Sequence, residues 1–301
     1  MAQSVDSSTL FRVDGMVAVI TGGGTGIGLT MARALAFNGA RKVYILGRRL
    51  EVLETAAKEH ASLVPFRCDV TSKDDLQAAV DHITAEMGFV NLVIANSGVV
   101  GPRVGFNPKH SLPELRKALF TDFAMADMNE TINVNLTAAF FTMTAFLELL
   151  DAGNQNALKG GFGKPISEGS DVQAIQSQVI FTSSIAAFSR HWVSSPPYLA
   201  SKAAIAHVTK HASSQLARFG IRVNAIAPGL YPSELATALI GDRKPEEESP
   251  DHPMFLPARR FGGDEEMAGA ILYLASRSGS YSNGSILMTD GGRLSVMTGS
   301  Y

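Results

Sequence analysis

One cysteine, Cys68, stands alone in this chain, so no internal disulfide can form, as is usual in a reducing compartment. It reads as a small buried hydrophobe at a strand end. Charge of neither sign is in excess: 26 basic against 28 acidic residues leave a net charge of -2, which gives no footprint for nucleic acid or an anionic membrane surface. Long hydrophobic runs are missing too. The most apolar stretch, 136–150, is interrupted by three threonines and Glu148 and is too short to span a bilayer. Residues 1–10 carry Asp6 and several serines but neither a basic flank nor an apolar block, so no signal peptide is expected and a soluble cytoplasmic protein is. No metal site is expected, and no internal repeat is visible.

What the chain does have is apolar residues and glycine. With 46% hydrophobic residues in 301, it can bury one large core, as one long α/β domain or two small ones. Short apolar runs near 16–21, 41–46, 62–66, 91–95, 178–182, 221–226 and 285–288 alternate with helical patterns near 26–38, 49–60, 72–87, 120–150, 197–219 and 264–276. That alternation predicts a doubly wound α/β fold, a mostly parallel sheet of about seven strands covered on both faces. Its right-handed crossovers leave a ligand crevice at the strand C-termini. Three segments depart from the pattern. Residues 99–119, with Pro102, Pro108 and Pro113, read as an extended loop and a short turn of helix. Residues 151–177, rich in Gly, Asn, Ser and Gln, read as a mobile surface insertion too polar to pack. Residues 241–258 are charged, with four prolines, and read as a loop.

Two motifs carry chemistry. The strand-like run Met16-Val17-Ala18-Val19-Ile20 leads directly into Thr21-Gly22-Gly23-Gly24-Thr25-Gly26-Ile27-Gly28 and then a helical pattern. Strand, glycine turn and helix is the context that binds a dinucleotide, because the backbone must turn tightly and place a pyrophosphate on the amides of the helix N-terminus. Farther on, Tyr198 and Lys202 lie four residues apart in a segment that opens on Pro196 and Pro197 and reads as helix, so phenol and ammonium share a face. A neighbouring cation is expected to lower the phenol from its free pKa of about 10 into the range of an acid–base catalyst.

Taken in order, Thr-Gly-x-x-x-Gly-Ile-Gly, Asn96-Ser97-Gly98, Ser184, Tyr198-x-x-x-Lys202 and Pro228-Gly229 resemble the motifs of the short-chain dehydrogenase/reductase family, over roughly residues 14–292. The resemblance implies one Rossmann-type domain across 1–301, with 1–13 as a tail, 151–177 as the insertion and 230–262 as a substrate lid. It implies a nicotinamide cofactor held by Gly22, Thr25, Gly26, Ile27 and Gly28. Asp69 and Val70 would meet the adenine, and Asn96 and Gly98 would line the adenine ribose. Pro228, Gly229, Leu230 and Ser233 would hold the carboxamide, with Ser233 standing where threonine is usual. It implies a catalytic set in which Tyr198 passes the proton. Lys202 would tune the phenol and reach the nicotinamide ribose, and Ser184 would orient the carbonyl, with Ser183 as the alternative. Asn135 would hold a water against the lysine, or else merely kink a long helix.

Cofactor choice rests on one position. Twenty residues beyond Gly28, where an acid would accept the ribose hydroxyls of NAD, stands Arg48, followed by Arg49. Arginine pairs instead with the extra phosphate of NADP(H). His191 and Trp192, in the loop between Ser184 and Tyr198, and Tyr231 are candidate substrate contacts that suit a hydrophobic or aromatic ketone or its alcohol. The expected activity is NADP(H)-dependent ketone and secondary-alcohol interconversion. Alternatives on the same fold are a catalytically silent NADP-binding sensor or scaffold and a non-redox cyclase or dehydratase. The helix expected over 120–150 is apolar nearly all round, so a homodimer or homotetramer is also expected.

Overall fold

A computed structural model of the chain describes residues 6–299. Seven strands, β1 (Val17–Thr21), β2 (Lys42–Gly47), β3 (Leu63–Arg67), β4 (Leu92–Ala95), β5 (Gln178–Thr182), β6 (Arg222–Pro228) and β7 (Ile286–Thr289), form one sheet. All pair in parallel, in the order β3-β2-β1-β4-β5-β6-β7. The helices are α1 (Ser7–Leu10), α2 (Gly26–Phe37), α3 (Leu50–Ala57), α4 (Lys73–Glu86), α5 (Leu112–Arg116), α6 (Met125–Ile132), α7 (Ala138–Ala145), α8 (Leu147–Leu158), α9 (Pro196–Leu216), α10 (Thr237–Ile240), α11 (Asp264–Ala275) and α12 (Arg293–Val296).

The strand runs lack polar alternation because both sheet faces are covered. In β1, Ala18 and Ile20 join a core under α2 and α11, whereas Val17 and Val19 join the opposite core under α4, α7 and α9. Helix starts are set locally: Ser72 caps α4 by accepting the Asp75 amide at 3.1 Å, with Asp74 and Asp75 at the positive end of the helix. The strand order reverses between β1 and β4, so a crevice opens where Thr21 and Ala95 end.

Three expectations change. The helix expected over 120–150 is broken. A π turn at Lys117–Thr121 precedes α6, a second at Asn133–Thr137 separates α6 from α7, and the axis bends by 45° at buried Phe146 before α8. Residues 151–177 do not stay off the body as a polar insertion. Helix α8 runs into them to Leu158 with Gly153, Asn154 and Ala157 buried; Asn154 donates to the Gly220 carbonyl at 2.9 Å and accepts the Ser177 amide at 2.8 Å. One buried asparagine with satisfied bonds lets a polar segment pack. The tail 1–13 ends inside the core, for Val13 is fully buried; residues 1–5 lie outside the described residues. Among the described residues no single helix is long and apolar enough to cross a membrane.

Candidate active site

The glycine turn is shaped as a cradle. Gly22 (φ 65°) and Gly26 (φ 52°) adopt left-handed backbone that other residues resist. A Cβ on Gly28 would lie 2.1 Å from the Gly22 carbonyl oxygen, so only glycine allows this approach. Thr25, the residue before α2, makes no side-chain cap, which leaves the first amides of the helix for an anion. Asn96 fastens the turn to its neighbours: its amide group donates to the Thr21 and Gly22 carbonyls at 3.0 and 3.3 Å and accepts the Thr182 hydroxyl at 3.1 Å. Ser233 crosses the turn, since a Cβ on Gly26 would stand 3.0 Å from its own Cβ. These residues fit a dinucleotide pyrophosphate.

Arg48, exposed just past β2, makes no ion pair among the described residues, whereas Arg49 pairs with Glu234 at 2.9 Å. Arg67 was not singled out from the sequence. Its register opposite Gly47 puts a second cation at the adjacent strand end. Asp69 is held below the usual carboxylate range by the Thr71 amide and hydroxyl, with the Arg48 and Arg67 charges adding to this. Val70 is buried.

The catalytic candidates converge at the C-terminal end of β5. Ser184 lies beside the Tyr198 phenol and lowers its pKa, while Ser183 donates to the Lys202 carbonyl at 2.9 Å, so of the two serines Ser184 is the one turned to the phenol. Lys202 is buried, its Nζ donating to the Thr182 carbonyl at 2.8 Å and lying 5.7 Å from the centre of the Tyr198 ring. Burial pushes its pKa down to about 8. The phenol is not lowered as expected: burial raises it, against a smaller lowering by Ser184, and the ammonium is directed at a carbonyl.

Asn135 lies inside the second π turn, and its Oδ1 and the Lys202 Nζ both face Gly98. The Asn135 Oδ1 accepts the Val99 amide at 2.8 Å, and its two amide protons go to the Val99 carbonyl at 2.9 Å and Ser201 Oγ at 3.0 Å. Ser201 in turn donates to the Tyr198 carbonyl at 2.7 Å, so Asn135 ties the loop after Gly98 to the catalytic helix. Ser201 and Thr182 were missed; Ser201 sits inside the Tyr-x-x-x-Lys spacing, the one signal that would have found it.

The residues expected at the substrate mouth lie on several loops. His191 and Trp192 stack with ring centres 5.6 Å apart, Trp192 exposed. Burial lowers the His191 pKa, as does the charge of Arg293. The two ends of the expected lid meet, Gly262 N donating to the Leu230 carbonyl at 3.0 Å, and Gly229 N donates to the Thr289 carbonyl at 2.9 Å beside Pro228. Tyr231 is buried in the core beside α11, where a Cβ on Gly262 would lie 2.5 Å from its ring, and it also lines a cavity with Leu256 and Ala258 of the expected lid.

A parallel doubly wound sheet with a glycine cradle and a Ser–Tyr–Lys cluster at its C-terminal edge defines a dinucleotide-dependent oxidoreductase. The chain belongs to the short-chain dehydrogenase/reductase family: residues 16–158 match the short chain dehydrogenase family, and 166–293 match that described as Enoyl-(Acyl carrier protein) reductase. It is 58% identical over 272 residues to short-chain dehydrogenase/reductase SAT3 of Stachybotrys chartarum, covering 90% of this chain and 100% of that one. Its structure resembles a gluconate 5-dehydrogenase from Burkholderia cenocepacia in complex with NADP and tartrate (TM-score 0.76, 28% identity, 96% and 99% of the chains). It also resembles the NADPH-dependent 3-quinuclidinone reductase of Rhodotorula rubra (TM-score 0.71, 25% identity, 96% and 95%).

Proposed function

We propose that this protein is an NADP(H)-dependent oxidoreductase that interconverts a ketone and a secondary alcohol, with Tyr198 as the acid–base group. The observation that carries this reading is the buried Lys202 one helical turn from Tyr198, its Nζ 5.7 Å from the phenol ring centre and Ser184 beside the ring, at the strand ends above the glycine cradle. A nicotinamide dinucleotide held by its pyrophosphate in the cradle would supply the hydride. A phenol raised by burial is neutral at pH 7, the form that donates a proton to a carbonyl oxygen as hydride reaches the carbon. Ser184 polarises that oxygen, and Lys202 holds a positive charge against the developing alkoxide.

Arg48, with Arg67 at the next strand end, favours the 2'-phosphate over a plain ribose, in keeping with the NADP complex and NADPH dependence of the two structural relatives. The stacked His191–Trp192 pair suits a hydrophobic or aromatic ketone. The proposed assembly is a homodimer or homotetramer. Steady-state NADPH oxidation with a ketone panel tests the activity. Tyr198→Phe is expected to lower kcat by a factor of about a hundred to ten thousand with NADPH affinity kept; activity within tenfold of the parent sinks the assignment.

A further inference from the structure

The residues after β7 make two sets of contacts with two different loops. Asp290 builds a tight turn, its carboxylate accepting the Gly292 and Leu294 amides at 3.0 and 2.8 Å. Against this turn lies the C-terminal part of the lid. Ala258 N donates to the Gly291 carbonyl at 2.9 Å, and a Cβ on Gly291 or Gly292 would stand 2.9 Å from Ala258 Cβ or 3.2 Å from the Pro257 ring. Arg293, buried and without a carboxylate in hydrogen-bond contact among the described residues, directs its guanidinium at the lid backbone: Nη1 donates to the Phe255 carbonyl at 3.1 Å and Nη2 to the Pro253 carbonyl. A few residues later the same segment reaches the other side of the mouth. Arg190 N donates to the Thr298 carbonyl at 2.7 Å, and Ser189 pairs with Gly299 in an antiparallel bridge. Ser189 also anchors the next residue, its hydroxyl accepting the His191 amide at 3.1 Å.

We propose that residues 290–299 act as a strap that joins the lid to the His191–Trp192 loop and so sets the width of the substrate mouth, with Arg293 as a specificity-determining positioning residue. A buried guanidinium is costly to leave unpaired, so its two carbonyl partners are held in place, and a lid fixed at one end of the strap fixes the loop at the other. The selectivity consequence rests on reading His191 and Trp192 as a substrate wall; the mechanical coupling does not.

Hydrogen–deuterium exchange on Arg293→Met and the parent, both saturated with NADPH, separates the two. The only hydrogen bonds the variant loses among the described residues are those to the lid, yet amides in 253–258 and also in 188–192 are expected to exchange about tenfold faster, with β1 and β4 unchanged as the internal control and Arg293→Lys keeping the charge that bears on His191. Arg293→Lys, which retains a charged donor, is expected to fall between them. Faster exchange in 253–258 alone, or in neither segment, overturns the strap. In turnover, the ratio of kcat/KM for a two-ring ketone to that for cyclohexanone is expected to change at least about fivefold in Arg293→Met, through KM. An unchanged ratio with both segments loosened overturns the specificity role. A parent that oxidises NADPH with no ketone defeats the functional reading instead.

Discussion

Lys202 is a charge kept where water does not reach, and its environment opposes it. The fall from 10.5 to about 8 corresponds to about 3 kcal/mol against the charged form. Because the folded value lies below the unfolded one, the folded protein binds fewer protons between pH 8 and 10.5. The penalty is therefore complete below about pH 8 and is relieved as pH rises to about 10.5. Lys202→Met removes the penalty at the cost of leaving the Thr182 carbonyl without its donor, so at pH 7 the variant is expected to be more stable by about 1–2 kcal/mol yet inactive. Urea unfolding of both proteins at pH 7 and pH 10 checks this: the advantage should shrink at the higher pH, and a variant less stable at pH 7 contradicts the account. Ser183 and Ser184 make a related point. Spacing left both open, because strand phase decides which of two adjacent hydroxyls faces the phenol, and a shift of one residue exchanges them.

At the scale of elements, continuous apolar runs located the strands well: the run near 16–21 is Val17–Thr21, and that near 178–182 is Gln178–Thr182. Only strands covered on both faces read that way in so short a length. What eluded the sequence depended on tertiary partners. The π turn around Asn135 answers to the Val99 backbone, the packing of 151–177 turns on Asn154 against Gly220, and Tyr231 faces inward because Gly262 leaves room for its ring. The ends of β2 and β3, in contrast, carry a prediction legible from a count of residues. Changing Arg48 to Asp is expected to move preference from NADPH toward NADH by about 2 kcal/mol or more, by loss of a charge-assisted contact and added repulsion. An unchanged ratio of catalytic efficiencies for the two cofactors transfers the role to Arg49 or Arg67.

For the whole molecule, Phe120, Met125, Phe140 and Phe141 lie on the outside, exposed by 72%, 83%, 41% and 36%. Met125 opens α6, and Phe140 and Phe141 lie on α7, whose residues show almost no polar face. Phe140 and Phe141 pack together with ring centres 5.8 Å apart; exposed apolar side chains of this kind favour burial against a copy of the chain, and a two-fold arrangement closes the assembly. Sedimentation is expected to show a dimer or tetramer of the 32.0 kDa chain, and Phe141→Glu is expected to shift it toward smaller species; a stable parent monomer at micromolar concentration refutes the expectation. The contacts of Arg293 and Gly291 with the lid have a further consequence, in time rather than space. A chain made from its N-terminus completes the glycine turn, the Tyr198 helix and the lid itself before residues 290–299 exist. The lid therefore stays unfastened until the last strand has been made. On the proposed strap, a nascent chain can form its glycine turn before residues 290–299 exist to set the substrate mouth.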